Sequence, residues 1–278
     1  MLSAESISSP KIPNIKPPLL IGIHKIGQEN FKLFLNGRDP LMLTDFTGQY
    51  AYRDNIEQVL LLQALHRGGY QANIQVVHVD FYKRRFRLIE RGEVHLSATP
   101  LWLADLKTAD NIFITPALIK EGEFTAGLYI HSKKTELLES QTLEKIRKLH
   151  AVSSRNWTID WQVLTKMNLS GLNHSGQFPL MARMLVKGRA DFMLSAFYNS
   201  SDLSFIEGGE KFIPIPNIKV VLPGSRHFAL SNKHPDFEEI KLALIKGFNI
   251  LTNEGVIQKA YTQSGFFNPK VKNWRIIN

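Results

Sequence analysis

Four cations stand within five residues at Lys83-Arg84-Arg85-Phe86-Arg87, and two chemistries compete for them. Such a cluster could neutralise phosphates by releasing their counterions. It could also be the solvated face of a short helix that turns Phe86 and Leu88 inward. A second group, Ser153-Ser154-Arg155-Asn156-Trp157-Thr158, precedes a helical segment. Hydroxyls, a guanidinium and the free N–H groups of a helix start suit an anion. The bland alternative is an N-cap with a solvated Arg155. His24 ends an apolar run, where it either donates to a ligand or serves structure. Trp102 is a stacking platform for a flat ligand or a core residue. Tyr50 and Tyr52, before the first long helix, line a cleft or face solvent. Phe197 and Tyr198 follow a buried run and cover a ligand or fill the core.

Other chemistries are missing. The chain has no cysteine, so thiolate metal sites, disulfides and cysteine nucleophiles are excluded. Its nine histidines show no His-x-x-x-His spacing, which argues against a metal site. No Gly-x-Ser-x-Gly elbow, phosphate-binding Gly-x-x-x-x-Gly-Lys loop or Gly-x-Gly-x-x-Gly turn occurs. No cofactor and no catalytic residue is assigned. The net charge of +9 is spread along the 278 residues, so it reads as a basic surface and not as a nucleic-acid site.

The elements that must position these groups alternate. Residues 19–24, 73–79 and 94–98 read as strands, with helices over 52–66 and 84–90 between them. Residues 25–52, rich in Gly, Pro and polar residues, read as a long loop. Segments 112–119 and 125–131 are extended. Helices at 143–149, 157–167 and 179–187 then alternate with strands at 150–153, 169–174 and 189–194. Extended segments at 215–222 and 227–231 precede helices at 237–249 and 255–264. Two rounds of this alternation predict an α/β protein of two Rossmann-like lobes joined by two hinge strands. The expected division is a mobile leader over 1–18, a first lobe of 19–124 plus 231–278, and a second lobe of 125–230. Ligands bind beyond the carboxyl ends of strands in such sheets. That rule nominates His24, Thr99, Trp102, Ser154, Arg155 and Trp157 for the cleft, with Tyr50, Tyr52 and Phe197 beside them.

Four segments carry a family likeness. They are His227-Phe228-Ala229-Leu230-Ser231-Asn232-Lys233-His234-Pro235-Asp236 and Asn253-Glu254-Gly255-Val256-Ile257-Gln258-Lys259-Ala260-Tyr261 near the C-terminus. The other two, Leu88-Ile89-Glu90-Arg91-Gly92-Glu93-Val94-His95 and Leu185-Val186-Lys187-Gly188-Arg189-Ala190-Asp191-Phe192, each stop a helix at Gly before a strand. In that order they resemble the type II periplasmic solute-binding proteins of ABC uptake systems, family 3-like, over residues 19 to 265. The resemblance implies a non-catalytic, monomeric, periplasmic receptor, its secretory signal removed. It implies hinge crossings near 124–130 and 227–231, and a membrane permease complex as partner. A signalling receptor is the alternative partner, and an enzyme on the same fold a further one.

The amino-acid-binding branch carries Thr-x-x-Arg, where this chain reads Thr99-Pro100-Leu101-Trp102, and an acid where it reads Ser195-Ala196-Phe197-Tyr198. Losing that bidentate clamp turns the expectation from a plain amino acid toward an aromatic or anionic solute.

Overall fold

The computed structural model describes residues 16–71 and 73–278. The leader expected over 1–18 therefore lies outside the described residues as far as position 15. Its last residues are tied down: Lys16 pairs with Glu239, and its ammonium sits 4.2 Å from the Tyr70 ring centroid.

The chain opens with β1 (Leu19–Ile23) and α1 (Lys25–Leu35). The long loop predicted from 25 is thus corrected. The His24 ring accepts the Ile26 N–H at the helix start, and Asn36 closes the end in a left-handed conformation. Phe31, Phe34 and Leu35 fall at helical spacing and pack on the core, an amphipathic signal that Gly27 and the polar residues masked. Next come α2 (Arg53–Gly68), β2 (Ile74–His78) and α3 (Tyr82–Arg91). Then follow β3 (Leu96–Ser97), β4 (Leu101–Trp102), α4 (Leu103–Leu106) and β5 (Ile112–Ile114).

The second lobe starts at β6 (Thr125–His131), then α5 (Leu143–Arg147), β7 (His150–Ser153) and α6 (Thr158–Lys166). It continues through β8 (Gly171–His174), α7 (Phe178–Val186) and β9 (Phe192–Ser195). A hairpin of β10 (Phe205–Glu207) and β11 (Glu210–Pro214) comes next, which the alternation did not reveal. Its turn is Gly208-Gly209, both at positive φ, as a two-residue hairpin turn requires. The chain ends with β12 (Ile218–Val221), β13 (Arg226–His227), β14 (Ala229–Ser231), α8 (Phe237–Asn253), α9 (Val256–Gln263) and β15 (Arg275–Ile276).

The first sheet runs β2-β1-β3-β14-β5, and the second β10-β11-β6-β9-β7-β8 with β12 against β6. Within the first, β1 is parallel to β2 and β3, while β14 is antiparallel to β3 and β5. This is the predicted two-lobed α/β architecture. The expected crossings need adjustment. β6 pairs only with second-sheet strands and β14 only with first-sheet strands, so the passages between lobes lie slightly earlier. They run side by side. Arg226 donates its backbone N–H to Ile119 at 2.8 Å, and Leu222 donates to Phe124 at 2.8 Å. A third passage corrects the assignment of 231–278 wholly to the first lobe: β15 pairs in parallel with β12 of the second.

The main core of the first lobe surrounds α2, whose residues Asn55 to Leu61 are all buried. α8 crosses α2 backbone to backbone. A Cβ on Gly247 would lie 1.9 Å from the Ala64 carbonyl oxygen, and one on Gly68 would lie 2.0 Å from that of Ala243. No Cβ fits at these two crossing points. Gly247→Ala should therefore destabilise the protein by about 3 kcal/mol or more, at or beyond the usual upper end for overpacking. Chemical denaturation with an unchanged m value would check this.

Candidate ligand-binding cleft

A cavity of about 420 Å³ opens between the lobes. Elements of both sheets wall it. The start of α2 brings Tyr52, Arg53, Asp54, Asn55 and Gln58, α3 brings Tyr82 and Arg85, and β4 brings Trp102. From the second lobe come Trp157 and Asp160 at the start of α6, the loop Ser195 to Tyr198, and Glu207 at the end of β10.

Six of the nine nominated residues meet here: His24, Tyr52, Thr99, Trp102, Trp157 and Phe197 all line the cavity. Trp102 is buried against Phe124, with ring centroids 5.3 Å apart. Its backbone N–H donates to the Tyr82 hydroxyl at 3.0 Å, and that hydroxyl donates to Asp105 at 2.8 Å. Tyr52 and Tyr198 meet edge to face at 5.6 Å, one ring from each lobe. Phe197 is buried beside Tyr129 and Trp274.

The other three lie elsewhere. Tyr50 sits in a left-handed turn behind Tyr52, its carbonyl accepting from the Asn55 amide. Ser154 is fully buried and accepts the Asn156 N–H. Arg155 is exposed, its guanidinium stacked 5.3 Å from the Trp161 ring on the outside of α6. The anion site expected around Ser154 and Arg155 is thus not part of the cleft.

The cleft's cations come from residues the sequence reading passed over or set among solvent. Lys83, Arg84 and Arg87 are exposed, but Arg85 is buried and enters the cavity. On α3, Arg85 stands at helical spacing from Tyr82 and Ile89 on the buried face, which was the available signal. Its stem passes over Gly22 of β1, where a Cβ would lie 3.1 Å from Arg85 Cγ and Cδ. Arg226 enters from β13, opposite Trp102 in the strand pairing, and its guanidinium lies 5.2 Å from the Trp102 ring. It is adjacent to the recognised strand start at His227. Arg53 is stacked 5.1 Å from the Phe124 ring and pairs with Asp54, with Glu57 3.8 Å away.

Charge and burial compete throughout. Burial opposes ionisation of Asp54, but Arg53 and Arg226 outweigh it and hold this carboxyl below its usual range. Burial raises Glu57 despite Arg53. Burial pushes Asp160 up to about 6, against the pull of its own backbone N–H, Arg226 and Arg53. Asp160 forms no ion pair among the described residues. Nor does any group of three or more His, Cys, Asp or Glu among them form a metal-binding cluster.

Asp160 therefore has a consequence for stability. Its folded-state proton is held to about pH 6, while the unfolded chain releases it near 3.8. The folded form binds more protons in that window, so its stability falls as pH rises through it. Asp160→Asn should be more stable than the parent by about 1–2 kcal/mol near pH 8, allowing for partial solvent screening. The gain should vanish below about pH 4. Denaturant melts across that range would measure it.

No protein-family model and no curated protein matches this sequence. Solved structures match its shape. The GluR0 ligand-binding core from Nostoc punctiforme, in complex with L-glutamate, is 14% identical, with 91% of this chain and 100% of that chain covered and a TM-score of 0.52. The second substrate-binding domain of GlnP from Lactococcus lactis, in an open conformation, is 13% identical over 91% of this chain and 97% of that one, at 0.52. The periplasmic VFT2 domain of BvgS from Bordetella pertussis is 12% identical over 73% and 81%, at 0.54. By shape, this chain has the two-lobed fold of the type II periplasmic binding proteins.

Proposed function

We propose that this chain is a non-catalytic receptor that traps a small organic solute between its lobes and delivers it to a membrane transport system from the periplasm. The cavity itself carries this reading. Its volume of about 420 Å³ is in the range of small-molecule sites, and both lobes wall it. The paired passages at 118–124 and 222–226 give a narrow pivot about which the walls could approach. Aromatic faces at Tyr52, Trp157 and Tyr198 supply apolar contact, and the arginines supply charge. Among the described residues, no helix is long and apolar enough to cross a membrane. A second reading stands beside transport on the same fold, in which the closed form signals to a receptor.

Closure is tested by small-angle scattering. A solute found by thermal shift should reduce the radius of gyration on saturation. An unchanged radius with a tight, saturating solute overturns the receptor reading. Recovery of the solute chemically intact from the complex supports binding over catalysis. Trp157→Ala should weaken that solute by roughly tenfold or more, as expected when a stacking aromatic is truncated. Arg155→Ala should leave affinity unchanged by isothermal titration calorimetry.

A further inference from the structure

Arg85 and Arg226 hold their guanidiniums in the cleft wall without a carboxylate. They are 9% and 6% exposed. No acidic group among the described residues comes within ion-pair distance of either. Their remaining protein contacts are sparse. Arg85 reaches the Val79 carbonyl only at 3.5 Å, and Arg226 donates to the Pro100 carbonyl. The Nε of each is buried with no hydrogen-bond partner. Arg53 beside them differs, since Asp54 and Glu57 already answer its charge. A buried cation without an ion-pair partner is costly to the fold, and its forked donors match oxyanions. Burial pulls both guanidiniums below their ordinary basicity, with Arg53 adding to this at Arg226, while Asp54 and Glu57 act in the opposite direction on each.

We propose that the cleft recognises a small organic anion with a dianionic oxyanion head, set between Arg85 and Arg226. This rests on the receptor reading above and names the class of its solute. Two buried guanidiniums with no ion-pair partner offer forked donors to two anionic groups, more than one monocarboxylate supplies. Trp102, under Arg226, holds that guanidinium from behind. Asp160 faces the same space from α6 and belongs to the opposite lobe. It marks where a positive group on the solute would sit when the lobes approach.

Succinate, methylphosphonate, inorganic phosphate and acetate serve as probes, read by titration calorimetry and thermal shift. At least one dianion should bind ten times tighter than acetate or better. Succinate against methylphosphonate separates a dicarboxylate from a phosphoryl head. Arg85→Gln and Arg226→Gln should each weaken that dianion tenfold or more, and neither should lower the melting temperature without ligand, since each removes an unpaired buried charge. Arg85→Lys and Arg226→Lys, which keep the charge, cover the case where a Gln variant fails to fold. They should retain dianion selectivity with reduced affinity. The proposal falls if acetate binds as well as every dianion. It also falls if the double Gln variant keeps dianion affinity, which would put the anion elsewhere. A neutral or cationic solute that closes the lobes while no dianion binds overturns the ligand class and leaves the receptor intact. Dianion binding that depends on both arginines but never changes the radius of gyration supports the anion site and removes lobe closure.

Discussion

Everything at the cleft depends on how closely two helices approach. α2 and α8 touch through their backbones at Gly68 and Gly247, leaving no room for a Cβ on either. That contact fixes the axis and height of α2. The start of α2 then carries Tyr52, Arg53 and Asp54 to the edge of the first lobe. A helix held at its rear by bulky side chains could rock. One held by backbone contact is stiffer, because its clearance is set by hard atoms and not by rotamers. Glu57, one turn further in, accepts the Tyr261 hydroxyl at 3.2 Å and so joins α9 to the same assembly.

The charges show where that rigidity is directed. Most cations of this basic chain are solvated or paired on its surface, where each pair contributes little. In the cleft the arrangement is different: cations outnumber the acids bonded to them, and Asp160 on the facing wall stays unpaired. Stacking on Trp102 and Phe124 keeps the Arg226 guanidinium in place without neutralising it.

The alternation of elements was plain in the sequence because strands and helices have different apolar periods, and it gave the two lobes. The segment after β1 reads as a loop because Gly27 and five polar residues hide the Phe31, Phe34, Leu35 stripe of α1. The β10–β11 hairpin had its Gly208-Gly209 turn in view, but flanking strands this short carry little pattern. At the cleft, aromatic residues at strand ends were found by the rule that sites lie beyond carboxyl ends. The arginines were not. Arg226 belongs to a two-residue strand whose partner, β4, is distant in sequence. Arg85 sat inside a run of cations, and only its register on α3 distinguishes it from its exposed neighbours. The stretch Thr99-Pro100-Leu101-Trp102 led only to the expectation that one clamp is lost. It could not say that guanidiniums from a helix and a later strand occupy the same cleft, because that is a property of tertiary approach.

The β15 passage has a practical meaning for anyone who would watch this molecule. Asn278 exchanges two hydrogen bonds with Val221, each at 2.9 Å, so the final residue travels with the far lobe. Lys16, pinned to Tyr70 and Glu239, travels with the near one. The two ends of the described chain are thus natural anchor points for a donor and an acceptor dye. A distance between them would report the angle of the two bodies directly, with no label placed inside the cleft.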